Sequence, residues 1–294
     1  MRKILIVNNY NYAEFIEACL ASALQQTSSL DLILFIDDGS TDDSVERVES
    51  GFSDCTTLQV IRKANGGQLS CFNAALPYVS EDDLVFFLDA DDVYPADYVE
   101  TVMEHYQRSD DFIFCVAKTF SPSNNQAPLN SCKTGNDNSI VIPCSSSLTR
   151  ISRCWIGSPT SALVLSGRLF REILPYPHER DWITRADDVL VFAASLLGFR
   201  KKFLGGVAVN YRIHGDNACY GKPISRRDMI EQELKLEKLF GHFCEKYRIS
   251  RTASILGALD ERSLIDSTLD PHCYIPGRSR ILLTPLRNVL RLLK

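Results

Sequence analysis

The sequence predicts an α/β fold in which a mainly parallel sheet is flanked by helices. Short apolar runs alternate with amphipathic segments four times over residues 3–106, a pattern typical of consecutive strand–helix units. The connections are short, as expected when parallel strands are joined by helices that cover both faces of the sheet. Each of these four apolar runs is followed by an unusual polar cluster, and ligands of such sheets bind beyond the carboxyl ends of the strands.

Each predicted element is an apolar run or a segment with helical apolar spacing. The predicted strands are residues 3–7, 32–36, 58–61, 84–88, 112–117 and 202–213. Helical spacing predicts helices over residues 15–26, 69–76, 95–106, 189–197 and 226–247. Ser40 and Asp43 have the spacing of a capping box that opens a further helix, and Pro95 is expected in the first turn of the helix after the fourth strand. Residues 121–139 are rich in Ser, Asn and Pro and predict a long exposed loop.

Size, composition and charge exclude several classes of protein. The chain has 294 residues, of which 45% are hydrophobic and 23% charged, as in an ordinary globular protein. Its net charge of −5 argues against a general nucleic-acid binder. No run of about 18 apolar residues is present and the N-terminus leads straight into a strand, so neither a spanning helix nor a secretory signal is expected. The ten cysteines form no Cys-x-x-Cys pair and no zinc-type spacing with histidine, which favours a reduced, cytoplasmic protein.

The most informative polar cluster is acidic. Asp89, Asp91 and Asp92 close the fourth apolar run, and carboxylates so close together repel one another unless a partner compensates them. A divalent cation with a phosphate-bearing ligand is one such partner, because Mg²⁺ is usually held by one or two carboxylates and substrate phosphates. The alternative is a polar turn leading to Pro95, and this is the interpretation that we keep for Asp92.

Further motifs occur in a particular order along the chain. They are residues 7–11 (Val-Asn-Asn-Tyr-Asn), 36–42 (Ile-Asp-Asp-Gly-Ser-Thr-Asp), 65–68 (Asn-Gly-Gly-Gln) with Asn73, 88–92 (Leu-Asp-Ala-Asp-Asp), 186–188 (Ala-Asp-Asp) and 211–217 (Tyr-Arg-Ile-His-Gly-Asp-Asn). In this order the chain resembles the inverting family 2 glycosyltransferases of the GT-A fold, over roughly residues 3–217. The resemblance implies a Rossmann-like GT-A sheet and the transfer of a sugar from a nucleotide diphosphate donor to an acceptor hydroxyl. No Gly-x-Gly-x-x-Gly follows the first strand, which disfavours a dinucleotide-dependent oxidoreductase.

The resemblance implies roles for residues that bind the nucleotide. Asp38 is expected to hydrogen-bond the nucleobase, Tyr10 to stack against it and Asp89 to face the ribose. Asp91 is expected to bind a divalent metal, Mn²⁺ or Mg²⁺, that bridges the donor phosphates and neutralises the charge of the departing diphosphate. For Asp37 and Asp38 the alternative role is helix capping, for which acids near an N-terminus are suited.

Other residues are expected to complete the donor site. Asn8, Gly67 and Gln68 belong to the expected nucleotide-sugar contacts, because glycine permits a tight turn and a close approach of backbone to ligand. A plain loop is the alternative for the glycines. By resemblance His214 contacts the diphosphate or completes the metal shell, and the planar guanidinium of Arg212 suits a phosphate. A structural histidine is the alternative for His214.

The start of the helix at residues 189–197 is expected to carry the general base. By resemblance Asp188 abstracts the proton of the acceptor hydroxyl, whereas Asp187 stands where the family usually has Glu and its role is less defined. An acidic helix N-cap is the alternative for both. Three aromatic residues are candidates for stacking on a sugar, or else ordinary core residues: Trp155, Trp182 and Tyr176.

The resemblance divides the chain into parts. Residues 1–220 are expected to form the GT-A domain, with a nucleotide-binding half over 1–110 and an acceptor half over 111–220, and residues 221–294 a C-terminal helical extension. The tail at 278–294 combines apolar residues with five cations and no acid, so it is expected either to contact an anionic membrane surface peripherally or to pack on the body.

The expected reaction uses a UDP-sugar donor and a glycan or lipid-linked acceptor, as in polysaccharide synthesis. A nucleotidyltransferase that makes sugar nucleotides is one alternative, although residues 8–12 contain no glycine or basic residue. A non-catalytic protein that binds nucleotide or glycan is the other. The donor sugar, the acceptor, the linkage and the oligomeric state stay open at this point.

Overall fold

The computed structural model describes residues 1–121, 128–135, 139–215 and 225–268. Its first half consists of four strand–helix units. The elements are β1 (Lys3–Asn9), α1 (Ile16–Leu24), β2 (Leu32–Asp37), α2 (Ser44–Gly51), β3 (Leu58–Arg62), α3 (Gln68–Ala75), β4 (Leu84–Asp89) and α4 (Tyr98–His105). β1 pairs in parallel with β2 and β4, and β2 pairs in parallel with β3. The predicted parallel units are therefore present.

The second half extends the same sheet with strands of mixed direction. Its elements are β5 (Phe112–Phe120), β6 (Ser139–Ile142), α5 (Ser146–Ser152), β7 (Leu163–Ser166), α6 (Gly167–Ile173), α7 (Ala186–Leu196), β8 (Lys201–Arg212), α8 (Arg226–Lys246) and α9 (Ile255–Thr268). Within the described residues the sheet has eight strands in the order β3-β2-β1-β4-β7-β5-β8-β6. β7 runs antiparallel to β4 and β5, while β5 and β8 are parallel.

Alternate side chains of the strands enter two separate hydrophobic clusters, one on each face of the sheet. On β1, Ile4 and Ile6 belong to one cluster, whereas Leu5 and Val7 belong to the other. This is the period of two expected for a strand that is covered on both faces. Burial on both faces explains why the strands read as continuous apolar runs in the sequence.

Two details of the predicted helices are wrong. α4 begins at Tyr98, so Pro95 precedes the helix instead of lying in its first turn. α2 begins at Ser44 with no capping bond from the side chain of Asp43, and Ser40 Oγ instead donates to Asp37 Oδ1 at 2.5 Å. Ser40 is thus bonded to the end of β2 and does not cap α2. At the start of α2, Asp42 Oδ1 accepts from the backbone N of Ser44 at 3.1 Å.

Helices α8 and α9 pack on the body of the molecule. Leu239 and Phe243 of α8 and Ile265 of α9 belong to the same hydrophobic cluster as Val189 and Phe192 of α7. The rings of Phe192 and Phe240 lie 5.7 Å apart. Residues 225–268 thus continue the core that supports α7.

No helix within the described residues is long and apolar enough to cross a membrane. The tail at 278–294, for which the sequence predicts membrane contact or packing on the body, lies outside the described residues, as does part of the predicted loop at 121–139. The eight cysteines that the structure describes are all free thiols.

Candidate functional site

The predicted polar clusters meet at the carboxyl edge of the parallel strands. In the sheet register, Asn8 lies beside Asp89 and Asn9 lies beside Asp37. The hydrogen bond between the Asn8 side chain and Asp89 joins β1 to β4 across this edge. Parallel strands that end at the same level thus bring residues from distant parts of the chain into one site.

The acidic cluster forms the centre of the site. Asp89, Asp91 and Asp92 each offer a carboxylate oxygen, and these oxygens all lie within 4.8 Å of one another. Burial and the neighbouring charge of Asp91 raise the pKa of Asp89 to about 8. The same two causes raise the pKa of Asp92 well above its usual value. Three hard oxygen ligands whose charges repel one another are a donor set that suits Mg²⁺ or Mn²⁺.

Asp92 lies in the turn that follows β4, where its backbone N donates to the backbone O of Asp89 at 2.9 Å, but its side chain also makes structural bonds. Its side chain is buried, and Oδ2 accepts a hydrogen bond from Ser161 Oγ at 2.6 Å. Oδ1 accepts from the backbone N of Arg212 at 2.8 Å. Asp92 thereby joins the end of β4 to the segment before β7 and to the end of β8.

Asp91 and His214 lie side by side, as the metal-site prediction requires. His214 Nε2 and Asp91 Oδ2 are 2.9 Å apart. The imidazole ring packs at 4.7 Å from the ring of Phe15, which orients it. This arrangement places both predicted metal ligands together, although their role stays a prediction.

Arg212 is held inside the site rather than at its rim. It is 8% exposed, and its Nε donates to the backbone O of Asp91 at 2.6 Å. The guanidinium lies over the rings of Phe15 and Phe120, at 4.9 and 4.7 Å. Burial lowers the pKa of Arg212, while the carboxylates of Asp92 and Asp91 oppose this shift. Arg212 therefore supplies positive charge to the acidic cluster, and its predicted contact with phosphate stays a prediction.

Asp37 and Asp38 are both buried and both bonded within the protein. Asp37 Oδ1 accepts from Asn9 Nδ2 at 2.8 Å, which fixes the end of β2 against β1. Asp38 Oδ1 accepts from Lys63 Nζ at 2.5 Å, and Oδ2 accepts from the backbone N of Gly67 at 2.7 Å. Helix capping is not the role of these two residues. Oδ1 also accepts from the backbone N of Gly66 at 2.9 Å and from Ser70 Oγ at 3.4 Å, so this oxygen is fully occupied. Oδ2 accepts from Gly67 alone and keeps one acceptor position, which is where the predicted bond to a nucleobase would have to form.

Gly67 makes its close approach to another part of the protein. Its φ is +87°, and a Cβ added there would lie 2.3 Å from Cα of Ile183. The next residue confirms this packing, because the backbone N of Gln68 donates to the backbone O of Ile183 at 2.8 Å. The turn at residues 65–68 therefore seats the segment that leads into α7.

Gln68 connects the acidic cluster to the start of α7. Its Nε2 donates to Asp89 Oδ1 at 2.9 Å and to Thr160 Oγ1 at 3.1 Å. Its Oε1 accepts from the backbone N of Ala186 at 3.0 Å. One side-chain amide thus fixes the distance between the two acidic parts of the site.

Tyr10 and the aromatic residues of the second half differ in accessibility. Tyr10 is 45% exposed, which leaves its ring available for stacking. Trp182 and Tyr176 are fully buried in the hydrophobic cluster that includes α7, so they are core residues and not sugar-stacking surfaces. Trp155 is buried too, and its indole acts on the carboxylate of Asp188.

The two acids at the start of α7 have different environments. Asp188 is fully buried, and Arg185 Nε lies 2.9 Å from its Oδ2. Asp187 is half-buried, and its charge acts on Asp89 in the acidic cluster. Burial, with the charge of Asp188, raises the pKa of Asp187 to about 7. Burial also raises the pKa of Asp188, although Arg185 and hydrogen bonds from Gln232 and Trp155 oppose the shift.

The structure adds residues that the sequence motifs do not contain. Ser161 donates to Asp92 of the acidic cluster, Thr160 accepts from Gln68, and Phe15 packs against His214. Arg185 and Gln232 contact Asp188. Arg185 was detectable, because a cation three residues before an acid can pair with it across one helical turn. The contact of Gln232 joins residues 44 positions apart and leaves no local signal.

Comparison with known proteins identifies a family. A family model described as Glycosyl transferase family 2 matches residues 4–204. An uncharacterised glycosyltransferase of Nostoc sp. is 31% identical over 228 residues, which are 74% of this chain and 66% of the Nostoc protein. This chain therefore spans just under two thirds of the length of that relative.

Solved structures share the fold. S. aureus TarS 1–349 in complex with UDP matches with a TM-score of 0.59 at 18% identity, over 92% of this chain and 72% of that chain. The same protein has been solved with UDP-GlcNAc, and that structure matches with a TM-score of 0.56 at 19% identity, over 92% of this chain and 82% of that chain. Mannosyltransferase PcManGT of Pyrobaculum calidifontis, in complex with GDP-Man and Mn²⁺, matches with a TM-score of 0.52 at 16% identity, over 99% of this chain and 80% of that chain.

These likenesses confirm the predicted GT-A fold, with its mainly parallel, Rossmann-like sheet flanked by helices. The motifs that suggested the family resemblance all fall inside or next to the matched region, and those described here lie together at one edge of the sheet. Since the family model covers most of its length, the chain belongs to glycosyl transferase family 2.

Proposed function

We propose that this protein is an inverting glycosyltransferase that transfers a sugar from a nucleotide diphosphate donor to a hydroxyl of a glycan or lipid-linked acceptor. The observation that carries the proposal is the link made by Gln68 between Asp89 and the start of α7. This link holds a donor-side acidic cluster and two further acids at a fixed distance, as transfer between two substrates requires. UDP is the favoured nucleotide, because TarS has been solved with UDP and with UDP-GlcNAc.

The acidic cluster is the proposed site for a divalent metal. Asp91 and His214 would hold the ion, with Asp89 beside them at the nucleoside, and Asp92 would keep its structural bonds. The residues fit a cation, because carboxylate oxygens of Asp89, Asp91 and Asp92 lie within 4.8 Å of one another and His214 Nε2 lies 2.9 Å from Asp91 Oδ2. A bound cation would also relieve the repulsion that helps to raise the pKa of Asp89 and Asp92. When bound, the ion supplies Lewis-acid stabilisation of the leaving diphosphate. Arg212 contributes fixed positive charge beside the same position.

The edge formed by β1, β2 and the turn at 65–68 is the proposed nucleoside site. The exposed ring of Tyr10 suits the face of a base, and a remaining acceptor position on Asp38 suits an N–H donor of the base. Asn8 lies beside Asp89 in the register and completes this surface. Residues 1–110 would thus bind the donor, and residues 111–220 would supply the acceptor side.

Asp188 is the proposed general base. In the structure its oxygens are occupied by Arg185 and Gln232, so the guanidinium of Arg185 has to yield one oxygen before an acceptor hydroxyl can donate to it. Asp188 would then take the hydroxyl proton as the acceptor oxygen bonds to the anomeric carbon and the bond to the diphosphate breaks. The charge of Asp187 acts on Asp89 of the acidic cluster, so Asp187 would lie on the side of the donor sugar.

The proposed location is the cytoplasm, at the place where polysaccharide or lipid-linked intermediates are assembled. The free thiols of the eight described cysteines agree with a reducing compartment. Peripheral membrane contact by residues 278–294 stays a prediction from the composition of that tail.

A donor screen followed by a turnover assay tests the proposal. Thermal unfolding with Mn²⁺ is measured against UDP, GDP, UDP-GlcNAc and GDP-mannose, and a ligand at 100 times its Kd stabilises by about 2.7 kcal/mol. Nucleotide release from the donor that binds is then measured for the wild type, for Asp188→Asn and for Asp54→Asn, an exposed acid, as a control. We expect Asp188→Asn to bind donor normally and to lose turnover.

The two alternative functions predict different results once a nucleoside triphosphate and a sugar 1-phosphate are added to the turnover assay. A nucleotidyltransferase would release pyrophosphate from a nucleoside triphosphate and a sugar 1-phosphate. A non-catalytic binding protein would show the thermal shift without turnover in the wild type. Either result, or the absence of any shift across the panel, contradicts the proposal.

A further inference from the structure

We propose that Gln232 of α8 is a positioning residue for the carboxylate of Asp188, which makes α8 a functional part of the transfer site. Gln232 Nε2 donates to Asp188 Oδ2 at 2.6 Å. The inference rests on the proposed role of Asp188 as the base. Gln232 lies beyond residues 4–204, the region that matches the family model, so the contact comes from a part of the chain outside the matched region.

The two polar partners of Asp188 differ in how they are held. Arg185 has a side chain that is 43% exposed, and it sits on a turn with φ of +64°, in the left-handed region that non-glycine residues rarely adopt. Its Nη2 donates to Asp188 Oδ1 at 3.1 Å. Arg185 is therefore the partner that an incoming acceptor can replace, and Gln232 is the partner that holds Asp188 from the opposite helix.

Helix α8 is built to hold Gln232 in place. Ser225 and Asp228 form a complete capping box at its start. Leu236, one turn after Gln232, and Phe240, a further turn on, are buried on the same face against the core. Between these two residues, Glu237 Oε1 accepts from Nη2 of Arg153, the residue that follows α5, at 2.6 Å, and this bond ties α8 to the end of α5. These contacts fix the helix on which the Gln232 amide is mounted.

The bond affects both the orientation and the charge of Asp188. An amide donor favours the ionised carboxylate, and it opposes the effect of burial, which favours the neutral acid. The charged groups that act on Asp188 are Arg185 and Asp187 from its own helix, while Trp155 and Gln232 contribute neutral donors from the elements packed against it. Without Gln232, the carboxylate of Asp188 would depend on Arg185 and Trp155, and Arg185 is the partner that the acceptor replaces.

Two variants of Gln232 and one control test the inference. Gln232→Leu removes the donor at similar volume, and Gln232→Glu keeps the shape but places a second acid at Asp188. Glu231→Leu changes the neighbouring exposed residue of α8 as the matched control. The measurements are the pH profile of kcat/KM for UDP release from UDP-GlcNAc with Mn²⁺, and a ¹³C NMR titration of the Asp188 carboxyl, assigned with Asp188→Asn.

In Gln232→Leu we expect the acid limb of the pH profile and the NMR midpoint of Asp188 to move upward by about one pH unit. At pH values below the limb, kcat/KM should then be about tenfold lower than in the wild type. Gln232→Glu should move them further in the same direction, and Glu231→Leu should leave them unchanged. The KM for UDP-GlcNAc should be the same in all four proteins, since the change acts through Asp188. A merely structural role would lower thermal stability without moving either pH midpoint.

Failure of this inference differs from failure of the proposed function. If both pH midpoints in Gln232→Leu and Gln232→Glu match the wild type, Gln232 does not position Asp188 and the inference is wrong. If Asp188→Asn retains turnover, the base assignment is wrong, and the inference falls with it. The NMR titration gives its answer without turnover, and Gln232→Glu gives one if the leucine variant does not fold.

Discussion

Nε2 of Gln68 lies 2.9 Å from Oδ1 of Asp89, and the other end of the same amide accepts the backbone N of Ala186 at 3.0 Å. Gln68 opens α3, Asp89 ends β4 and Ala186 opens α7, so one side chain spans three elements. The donor-side acids and the acids of α7 are therefore held in a fixed relation before any substrate binds. Such preorganisation avoids rearrangement at the moment of reaction.

Replacing Gln68 by Leu should weaken both the fold and the donor site. The substitution removes the partner of two part-buried groups, Asp89 Oδ1 and the backbone N of Ala186, at a cost near the lower end of the about 1–3 kcal/mol for an unsatisfied buried group. We expect a lower urea midpoint and weaker binding of UDP with Mn²⁺ by calorimetry. Gln107→Leu, at an exposed position, is the control and should change neither. Unchanged stability and affinity in Gln68→Leu would show that the bonds of Gln68 to Asp89 and Ala186 contribute neither to the fold nor to donor binding.

Gly67→Ala should destabilise the protein strongly. Its φ of +87° disfavours a side chain, and the new Cβ would lie 2.3 Å from the backbone of Ile183. A strained backbone conformation costs about 1–3 kcal/mol, to which the collision adds. Gly51→Ala is the matched control, because its Cβ meets nothing within 4 Å. Urea unfolding should show a loss for the first variant and a neutral or stabilising change for the second; equal effects would contradict the packing described for the turn.

Arg2 and Asp83 predict how stability depends on pH. Burial raises the pKa of Asp83, but hydrogen bonds from Arg2 and Ser80 outweigh it and hold the pKa below its usual value. A lowered pKa in the folded state means that this contribution is present above the unfolded value of about 3.9 and is lost as the pH falls through the folded value. Arg2→Gln should therefore lower the free energy of unfolding at pH 7, on the order of 1 kcal/mol. The difference from wild type should shrink as the pH falls below about 4.

The matched control for this pair is Arg47→Gln. Arg47 pairs with Asp43 at 2.9 Å, but both side chains are exposed, so no measurable change is expected. Urea unfolding at pH 7 and at pH 3 gives all the comparisons. A difference between Arg2→Gln and wild type that is the same at both pH values would show that Asp83 is not the titrating partner.

Asp91 and Asp92 should respond in opposite ways to the same substitution. Asp91 raises the pKa of both Asp89 and Asp92 by its charge, so Asp91→Asn relieves repulsion and should leave the metal-free protein at least as stable as wild type. Asp92→Asn can accept from only one of Ser161 and the backbone N of Arg212, and it should lose about 1–3 kcal/mol. Thermal unfolding in EDTA decides; equal losses in the two variants would contradict the division of roles.

Much of the fold was predictable because strands buried on both faces of a sheet are apolar at consecutive positions of the sequence. β1, β2 and β4 read as unbroken apolar runs, and the polar residues after them marked the edge where the site lies. Errors arose where tertiary contacts override local preference. Pro95 does not start α4: the preceding Val93 forms a bridge with Asn210, and the backbone O of Pro95 accepts from Gln26 Nε2 at 2.7 Å. Ser40 bonds Asp37 instead of capping α2.

The candidate site was predictable only in part. Asp89, Asp91 and His214 do meet, as the order of motifs predicted. The motifs did not predict the hydrogen-bond partners of the carboxylates. Asp38 accepts from the turn at residues 65–68, and Asp92 accepts from the end of β8. Asp188 accepts from Arg185 and Gln232. These bonds join distant residues, and their geometry depends on packing that no local pattern contains.

Calorimetric titration of UDP into the wild type and Asp91→Ala, each with Mn²⁺ and with EDTA, tests directly whether Asp91 binds a cation at the donor site. Asp91 is the proposed ligand of a cation at the donor diphosphate, and from this assignment we expect UDP to bind the wild type with Mn²⁺ at least tenfold more tightly than in any of the other three conditions. Equal affinity in EDTA, or equal affinity for Asp91→Ala with Mn²⁺, would contradict it.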